Sequence, residues 1–256
     1  IFKVPFTMTT DDNGLRNPEA IKAITLDQHV LTDKARFVGD PIAAVAAINE
    51  GIAEQALELI EVEYEQLPAV FDPVEAMKPG APRVHDSVEN NIASHFVYPF
   101  AQGNVEKGFA EADLVLGDTF SVSKQHPCQM EPTGCVVDFD ANGNLTVWSP
   151  TQEAFLLRDK MADIYSIPTG KVRYLTQFTG GSFGGRGASL TLEPITAALS
   201  KKTGRPVKTV YTREEELFAL ETRTPFIQTG KIGFKKDGTI TAMETKAIAN
   251  SGAYIT

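Results

Sequence analysis

Apolar and polar residues alternate along the chain with two different periods, and the changes of period mark its elements. Residues 42–48 form a short, almost wholly apolar run after the turn signal Val38-Gly39-Asp40-Pro41, the pattern of a strand covered on both faces. Asn49 then offers a helix N-cap, and Ala53, Ala56, Leu57 and Ile60 recur at helical spacing. Ile60, Val62 and Tyr64 alternate with glutamates, as in a half-buried strand. The stretch 35–70 therefore reads strand–helix–strand. Residues 1–34 show no clear period, and Thr9-Thr10-Asp11-Asp12-Asn13-Gly14 is a polar turn.

Residues 72–95 are rich in Pro, Gly, Asn and His. Pro79-Gly80-Ala81-Pro82 can continue neither a helix nor a central strand. A domain boundary is placed near 85–95, separating a first domain over 1–88 from a second over 95–256. The second opens with a short helix over 105–112 and a strand over 114–122. Apolar runs at 136–139 and 145–148 flank Asp140-Ala141-Asn142-Gly143-Asn144, a hairpin signal. A helix over 152–165 ends before Pro168, and 171–175 returns as a strand. The next helix, over 189–202, closes on two lysines followed by Thr203-Gly204-Arg205-Pro206. Residues 207–211 form a strand, and Thr212 with Glu215 makes a capping box for a short helix. Segments 226–234 and 239–250 pair around Lys235-Lys236-Asp237-Gly238. Helices and strands are mixed rather than strictly alternating, so the fold class is α+β. Strand-like sequence at Ile1 and at Thr256 predicts a fold incomplete at both ends.

Composition narrows the partners. Of 256 residues, 42% are apolar and 22% charged, enough for a core and unlike a disordered chain. The net charge is −9 with no basic stripe, which argues against nucleic acid and anionic membranes. No apolar run reaches the roughly 18–20 residues of a membrane span. Two cysteines, Cys128 and Cys135, are too few for a disulfide framework and fit a reducing, cytoplasmic setting.

Four segments could carry chemistry. Thr179-Gly180-Gly181-Ser182-Phe183-Gly184-Gly185-Arg186 lies between a strand and a helix. Its glycines let backbone approach a ligand, and its free amides favour an anion or an oxo group. The competing reading is a tight turn with a phenylalanine plug. Neither the phosphate-loop pattern nor the dinucleotide fingerprint is present, and Phe183 would crowd a pyrophosphate. Ser149-Pro150-Thr151-Gln152 reads either as a capping box or as a turn that aims the Gln152 amide at a bound group. Gln125-His126-Pro127-Cys128-Gln129-Met130-Glu131-Pro132, with one later Cys135, makes no four-ligand zinc set; both cysteines are expected to be buried and structural, and Glu131 to be a buried, hydrogen-bonded carboxylate. Glu214-Glu215-Glu216 reads as a solvated first helical turn, and His29, His85 and His95 have no evident partners. No nucleophile motif occurs.

In order, these motifs resemble one family. Arg36-Phe37-Val38-Gly39-Asp40-Pro41-Ile42-Ala43-Ala44-Val45, then Glu61-Val62-Glu63-Tyr64-Glu65 and Pro68, resembles the small α/β hammerhead domain of molybdenum hydroxylase large subunits of the xanthine dehydrogenase and aldehyde oxidoreductase type. Gly103-Asn104-Val105, the stretch 126–132, Ser149-Pro150-Thr151-Gln152, the glycine loop, Thr203-Gly204-Arg205-Pro206-Val207, Arg223-Thr224-Pro225-Phe226 and Ser251-Gly252-Ala253-Tyr254 follow in that family's order. The resemblance implies a hammerhead domain followed by the first part of a mixed α+β molybdenum-cofactor-binding domain.

It also implies hydroxylation or oxidation of an N-heterocycle, aldehyde or related carbon, with oxygen from water. The implied cofactor is molybdenum-molybdopterin, with the cytosine dinucleotide as one candidate form. Fe-S clusters and FAD on partner domains or subunits would take the electrons, beside the remaining molybdopterin-binding region. By the resemblance, Gln152 meets an oxygen ligand of molybdenum, backbone amides around Gly181, Ser182, Phe183 and Gly184 face the metal's apical ligand, and Arg223 is a weaker cofactor contact. No direct metal ligand is implied, and the catalytic base, a glutamate, is expected beyond residue 256, so this chain alone would be inactive. Gly187 stands where xanthine-type members carry a substrate-binding glutamate, which argues against a purine held on that pattern. Two other readings compete: a noncatalytic fragment or interaction module keeping the scaffold, and an unrelated nucleotide-binding protein using the glycine loop.

Overall fold

The computed structural model describes residues 28–93, 103–187 and 192–254. Asn49 starts helix α1 (Glu50–Glu58): its side-chain oxygen accepts the Ile52 N–H, one of the amides a helix start leaves free. Asp72 caps the one-turn helix α2 (Pro73–Ala76) in the same way, accepting from Val74 and Glu75. The strands expected over 42–48 and 60–64 have no ladder partners among the described residues. A strand is completed by a neighbour's hydrogen bonds, which an apolar pattern cannot provide, and Ile48, Val62 and Tyr64 remain exposed. The turn read at 9–14 lies outside the described residues.

From residue 103 the elements are α3 (Val105–Ala110), β1 (Leu114–Val122), β2 (Gly134–Phe139), β3 (Leu145–Trp148), α4 (Ala154–Tyr165), β4 (Val172–Leu175), α5 (Glu193–Thr203), β5 (Val207–Val210), α6 (Arg213–Ala219), β6 (Phe226–Phe234) and β7 (Ile240–Ala249). They make two sheets, β1-β6-β7 and β4-β3-β2-β5. The first is wholly antiparallel. In the second, only β3 and β4 run parallel.

The main core lies under the four-stranded sheet. Cys135, Val137 and Phe139 alternate inward on β2, and Leu145 and Val147 do so on β3. Leu157, Met161, Ala162, Ile164 and Tyr165 of α4 and Ala197 of α5 join them. Each buried Val, Leu or Met side chain contributes about 1.5–3 kcal/mol. Helix α5 lies close to β2 because its inward residues are small: Ser200 Oγ accepts the Phe139 N–H at 2.9 Å, and the Cys135 thiol donates to Thr196 Oγ1 at 3.3 Å. The expected ends hold for α5 and α6. Gly204 closes α5 with φ of 64°, and Thr212 and Glu215 form a reciprocal capping box on α6.

The first stretch docks on the second through motifs from opposite ends of the chain. Arg36 donates to the Tyr254 hydroxyl at 3.2 Å, and that hydroxyl donates to Asp40 Oδ2 at 3.3 Å. Gly39 passes so close to α6 that a Cβ would lie 2.7 Å from the Phe218 carbonyl oxygen, and its φ of 127° also requires glycine. His85, read as lacking a partner, has Nε2 at 2.5 Å from the Ala253 carbonyl oxygen and its ring edge-on to Tyr254. That partner is 168 residues away in sequence, beyond the reach of local reading.

Candidate functional site

The topology of the four-stranded sheet gathers four loops at one edge. Parallel β3 and β4 both leave the sheet there, into 149–152 and 176–187. Antiparallel β2 enters at that edge from 125–133, and antiparallel β5 leaves at it into α6. Three of the segments singled out by sequence therefore meet, together with the start of α6, whose acidic run was read as a solvated helical turn. Ser149 N–H donates to Leu175 O at 3.1 Å, and the Thr176 hydroxyl donates to Ser149 O at 3.0 Å, locking the first two loops together.

Gln152 clasps the glycine loop. Its backbone N–H donates to Arg186 O at 3.0 Å. Its side-chain Oε1 accepts from Gly184 N–H at 3.1 Å and from the Ser182 hydroxyl at 2.5 Å. An amide hydrogen can only be donated, so the Gly184 contact fixes which end of the Gln152 amide faces the loop. The Gln152 NH2 group is left turned away, on an exposed side chain, with no protein acceptor among the described residues. The capping box read at Ser149 and Gln152 does not form: α4 begins after Glu153 without a side-chain cap, and Ser149 Oγ instead donates to buried Glu193 at 2.7 Å.

The loop itself has an uncommon backbone. Gly181, Phe183 and Gly184 have φ of 100°, 51° and 91°. Phe183 is thus a non-glycine residue in the left-handed region, and its side chain is 78% exposed rather than plugged into the core. The N–H groups of Gly181, Ser182 and Phe183 donate to nothing among the described residues, whereas Gly180 N–H goes to Glu131 and Gly185 N–H to Ser182 O. Gly180 is required for close approach, since a Cβ there would sit 2.5 Å from Glu131 Cβ.

Behind the loop runs a polar network that sequence reasoning missed. Arg186, its side chain only 2% exposed, donates through NH1 to Glu131 Oε2 at 2.5 Å and Gly181 O at 3.1 Å, through Nε to Thr133 Oγ1 at 3.2 Å, and through NH2 to Glu131 O. Glu131 is hydrogen-bonded as expected but 40% exposed, not buried. Burial raises its pKa, but the Gly180 N–H and the Arg186 guanidinium outweigh that and hold the carboxyl below the usual glutamate range.

The solvated turn read at 214–216 is corrected at Glu216, which is 0% exposed. Its Oε1 accepts from Gln129 Nε2 at 2.5 Å and Thr133 Oγ1 at 3.2 Å, and its Oε2 pairs with Arg213 at 2.9 Å. The partners come from segments up to 87 residues distant, which is why an acidic run looked solvated; Arg213 three residues before Glu216 was the one local signal. Of the two cysteines expected to be buried, Cys135 is, with burial pushing its thiol pKa far up, whereas Cys128 is exposed in a left-handed turn with φ of 50°. Arg223 is placed by its backbone, which bridges to Gln125; its side chain is exposed and makes no hydrogen bond or ion pair with the described loop residues. Among the described residues no group of three or more metal-ligating side chains occurs, and no helix is long and apolar enough to cross a membrane.

A strained backbone with these three free amides, beside an oriented carboxamide NH2, offers donors to an acceptor-rich group without offering it a ligand. Residues 84–256 match the molybdopterin cofactor-binding domain, and residues 3–68 match the a/b hammerhead domain of aldehyde oxidase and xanthine dehydrogenase. The chain belongs to the xanthine dehydrogenase family of molybdenum hydroxylases, within its molybdopterin-binding large subunit.

It is 41% identical over 231 residues to a probable xanthine dehydrogenase subunit of Bacillus subtilis, a match that covers 90% of this chain and 30% of that protein. It is 33% identical over 225 residues to the nicotinate dehydrogenase large molybdopterin subunit of Eubacterium barkeri, covering 88% and 52%. The crystal structure of quinoline 2-oxidoreductase from Pseudomonas putida 86 superposes with a TM-score of 0.86 at 29% identity, over 99% of this chain and 31% of that one. The chain thus spans from about a third to a half of the length of these proteins.

Proposed function

We propose that the loop edge of the four-stranded sheet is one wall of a molybdenum-molybdopterin site in a hydroxylase large subunit. The observation that carries this reading is the orientation of Gln152: Gly184 forces its carbonyl inward and leaves its NH2 as an outward donor beside the free amides of Gly181, Ser182 and Phe183. Such preorganised donors suit oxo-type oxygens and cost no rearrangement when the group arrives. Gly184 N–H is taken up by Gln152, so its part is to orient that side chain rather than to meet the cofactor itself. Arg223 is assigned a supporting role through the Gln125 bridge.

When bound, the cofactor supplies two-electron oxidation of a substrate carbon, with the added oxygen coming from water. The residues of this chain bind and orient that group. The catalytic carboxylate, the rest of the pterin site, and the Fe-S and FAD carriers are contributed by sequence or subunits outside these 256 residues. This fits a chain that spans only part of its relatives. The substrate class is an N-heterocycle, aldehyde or related carbon compound, the cytosine dinucleotide is one candidate form of the pterin, and the complex works in the cytoplasm.

The test is molybdenum content by elemental analysis of the protein assembled with its complementary sequence, comparing wild type, Gln152→Leu and Gly184→Ala. Wild type should hold close to one molybdenum per chain. Gln152→Leu should lose most of it. Gly184→Ala should do the same through φ alone, since nothing lies within 4 Å of an added Cβ. A wild-type protein without molybdenum, or a Gln152→Leu protein with full content and unchanged turnover, refutes the reading.

A further inference from the structure

Phe183 keeps a left-handed backbone, and such strain survives only where the surroundings over-determine it. The loop is pinned at both ends. At its start, Gly180 N–H is held by Glu131 Oε2 at 2.7 Å; at its end, Arg186 is held by Glu131 and Thr133. Arg186 also returns to Gly181 O at 3.1 Å, which closes the loop on itself and fixes the backbone that carries the amides of 181–183.

We propose that Glu216, acting through Thr133 and Arg186, is a positioning residue for this loop and sets the direction of the Gly181, Ser182 and Phe183 amides. The inference rests on the reading of those amides as the cofactor-facing wall. The Thr133 hydroxyl has one hydrogen. Glu216 Oε1 takes it, so the hydroxyl lone pairs are left to accept Arg186 Nε and Gln129 Nε2. The charge on Glu216 therefore decides which way Thr133 points, and Thr133 decides where the guanidinium of Arg186 sits.

Two further observations show that this is more than packing. A fully buried carboxylate is a poor source of stability compared with an apolar residue of similar size, and in some proteins such a group serves to specify geometry instead. Gln129, only 1% exposed, spends its NH2 on Glu216 while its Oε1 stays without a donor among the described residues. That orphaned oxygen would lie 3.4 Å from a Cβ on Gly185, so the network ends directly under the loop.

The experiment compares wild type with Thr133→Val, Thr133→Ser and Glu216→Gln in the full-length protein with its cofactor. Valine keeps the shape of threonine and removes the hydroxyl; serine keeps the hydroxyl. Amide hydrogen exchange is read on peptides covering 179–187 and, as a control, α4. The Mo(V) electron paramagnetic resonance spectrum reports on the metal's surroundings. Thr133→Val should speed exchange at Gly180, Gly184 and Gly185 about tenfold, the weight of one charge-assisted hydrogen bond, and leave α4 unchanged. Its Mo(V) signal should shift or broaden. Thr133→Ser should restore both, and Glu216→Gln should reproduce the valine effect.

Wild-type exchange and spectrum in Thr133→Val overturn the inference, as does faster exchange spread evenly through α4, and the Thr133 pair decides even if Glu216→Gln does not fold. A loop-confined change with serine rescue, in a protein that binds no molybdenum, keeps the positioning role and removes the cofactor reading instead.

Discussion

The two sheets of this chain treat their apolar residues in opposite ways. The four-stranded sheet hides Val137, Leu145 and Val147 completely beneath α4 and α5. The three-stranded sheet places Leu114, Leu116, Phe120, Phe226, Ile240 and Met243 on one face by register, and all of them are exposed; α3 packs on the other face, where Gly108 lies against Thr241 and Ala242. The candidate site sits on the buried sheet. A loop with left-handed residues and amides that have no acceptor among the described residues needs a rigid support, and a sheet covered by two helices provides one. The open sheet supports no comparable constellation among the described residues.

The largest test of that contrast is a matched pair of truncations. Leu145→Ala should cost about 3 kcal/mol, through lost transfer energy and the cavity left behind, whereas Leu116→Ala should stay within about 0.5 kcal/mol. Urea denaturation of both variants checks this, and equal losses would mean that the open face is covered in the assembled protein. A second pair uses glycines. Gly180→Ala forces a Cβ to 2.5 Å from Glu131 and should cost about 2 kcal/mol by overpacking. Gly230→Ala, in β6 with nothing within 4 Å, should stay near neutral. Melting temperatures read both.

Acid should separate the loop edge from the docking of the first stretch. Glu131 has a depressed folded pKa, so its contribution is present above the ordinary glutamate pKa and is lost as pH falls through the folded value, below about pH 4.5. Asp40 has the opposite sign. Burial raises its pKa, against the Arg36 N–H, the Tyr254 hydroxyl and the Arg36 charge; stability present below the unfolded pKa is lost as pH rises through the folded one. Acidification should therefore loosen the glycine loop while relieving the cost of burying the Asp40 charge, even as it weakens the Arg36 and Tyr254 contacts that hold the ionised form. Trp148, the sole tryptophan, lines a groove with Glu131 and should report the first change by its fluorescence; Glu131→Gln should abolish the acid transition. The smallest effect is chemical. A maleimide should label Cys128 and spare Cys135 in the native protein, giving one adduct per chain by mass spectrometry and two after denaturation.

Local signals in the sequence were read well and distant ones were not. The hairpin around 140–144, the αL glycine ending α5 and the capping box on α6 are decided by a few neighbouring residues, and each stands where the pattern placed it. The apolar runs at 42–48 and 60–64 carry strand-like periods, but pairing is not a property of one segment. The glycine loop and Gln152 were recognisable as motifs, while the reason for their shape was not. It lies in Arg186, Thr133 and Glu216, whose mutual distances in sequence hide a network that burial makes obvious. Cys128 and Cys135, seven positions apart and chemically identical in sequence, differ because one lies on an inward strand position and the other in a surface turn.

Those same distances bear on the order in which the protein folds. The β2–β3 hairpin closes over a five-residue turn and belongs to the microsecond events of folding. The contacts that shape the glycine loop span 49, 53 and 87 residues, from Gly180 to Glu131, Arg186 to Thr133 and Gln129 to Glu216. Closing such long loops is slow and needs β5 and α6 already docked. The glycine loop is thus expected to take its final form late, so a bulky group that arrives early at this edge would meet a receptor still without its shape.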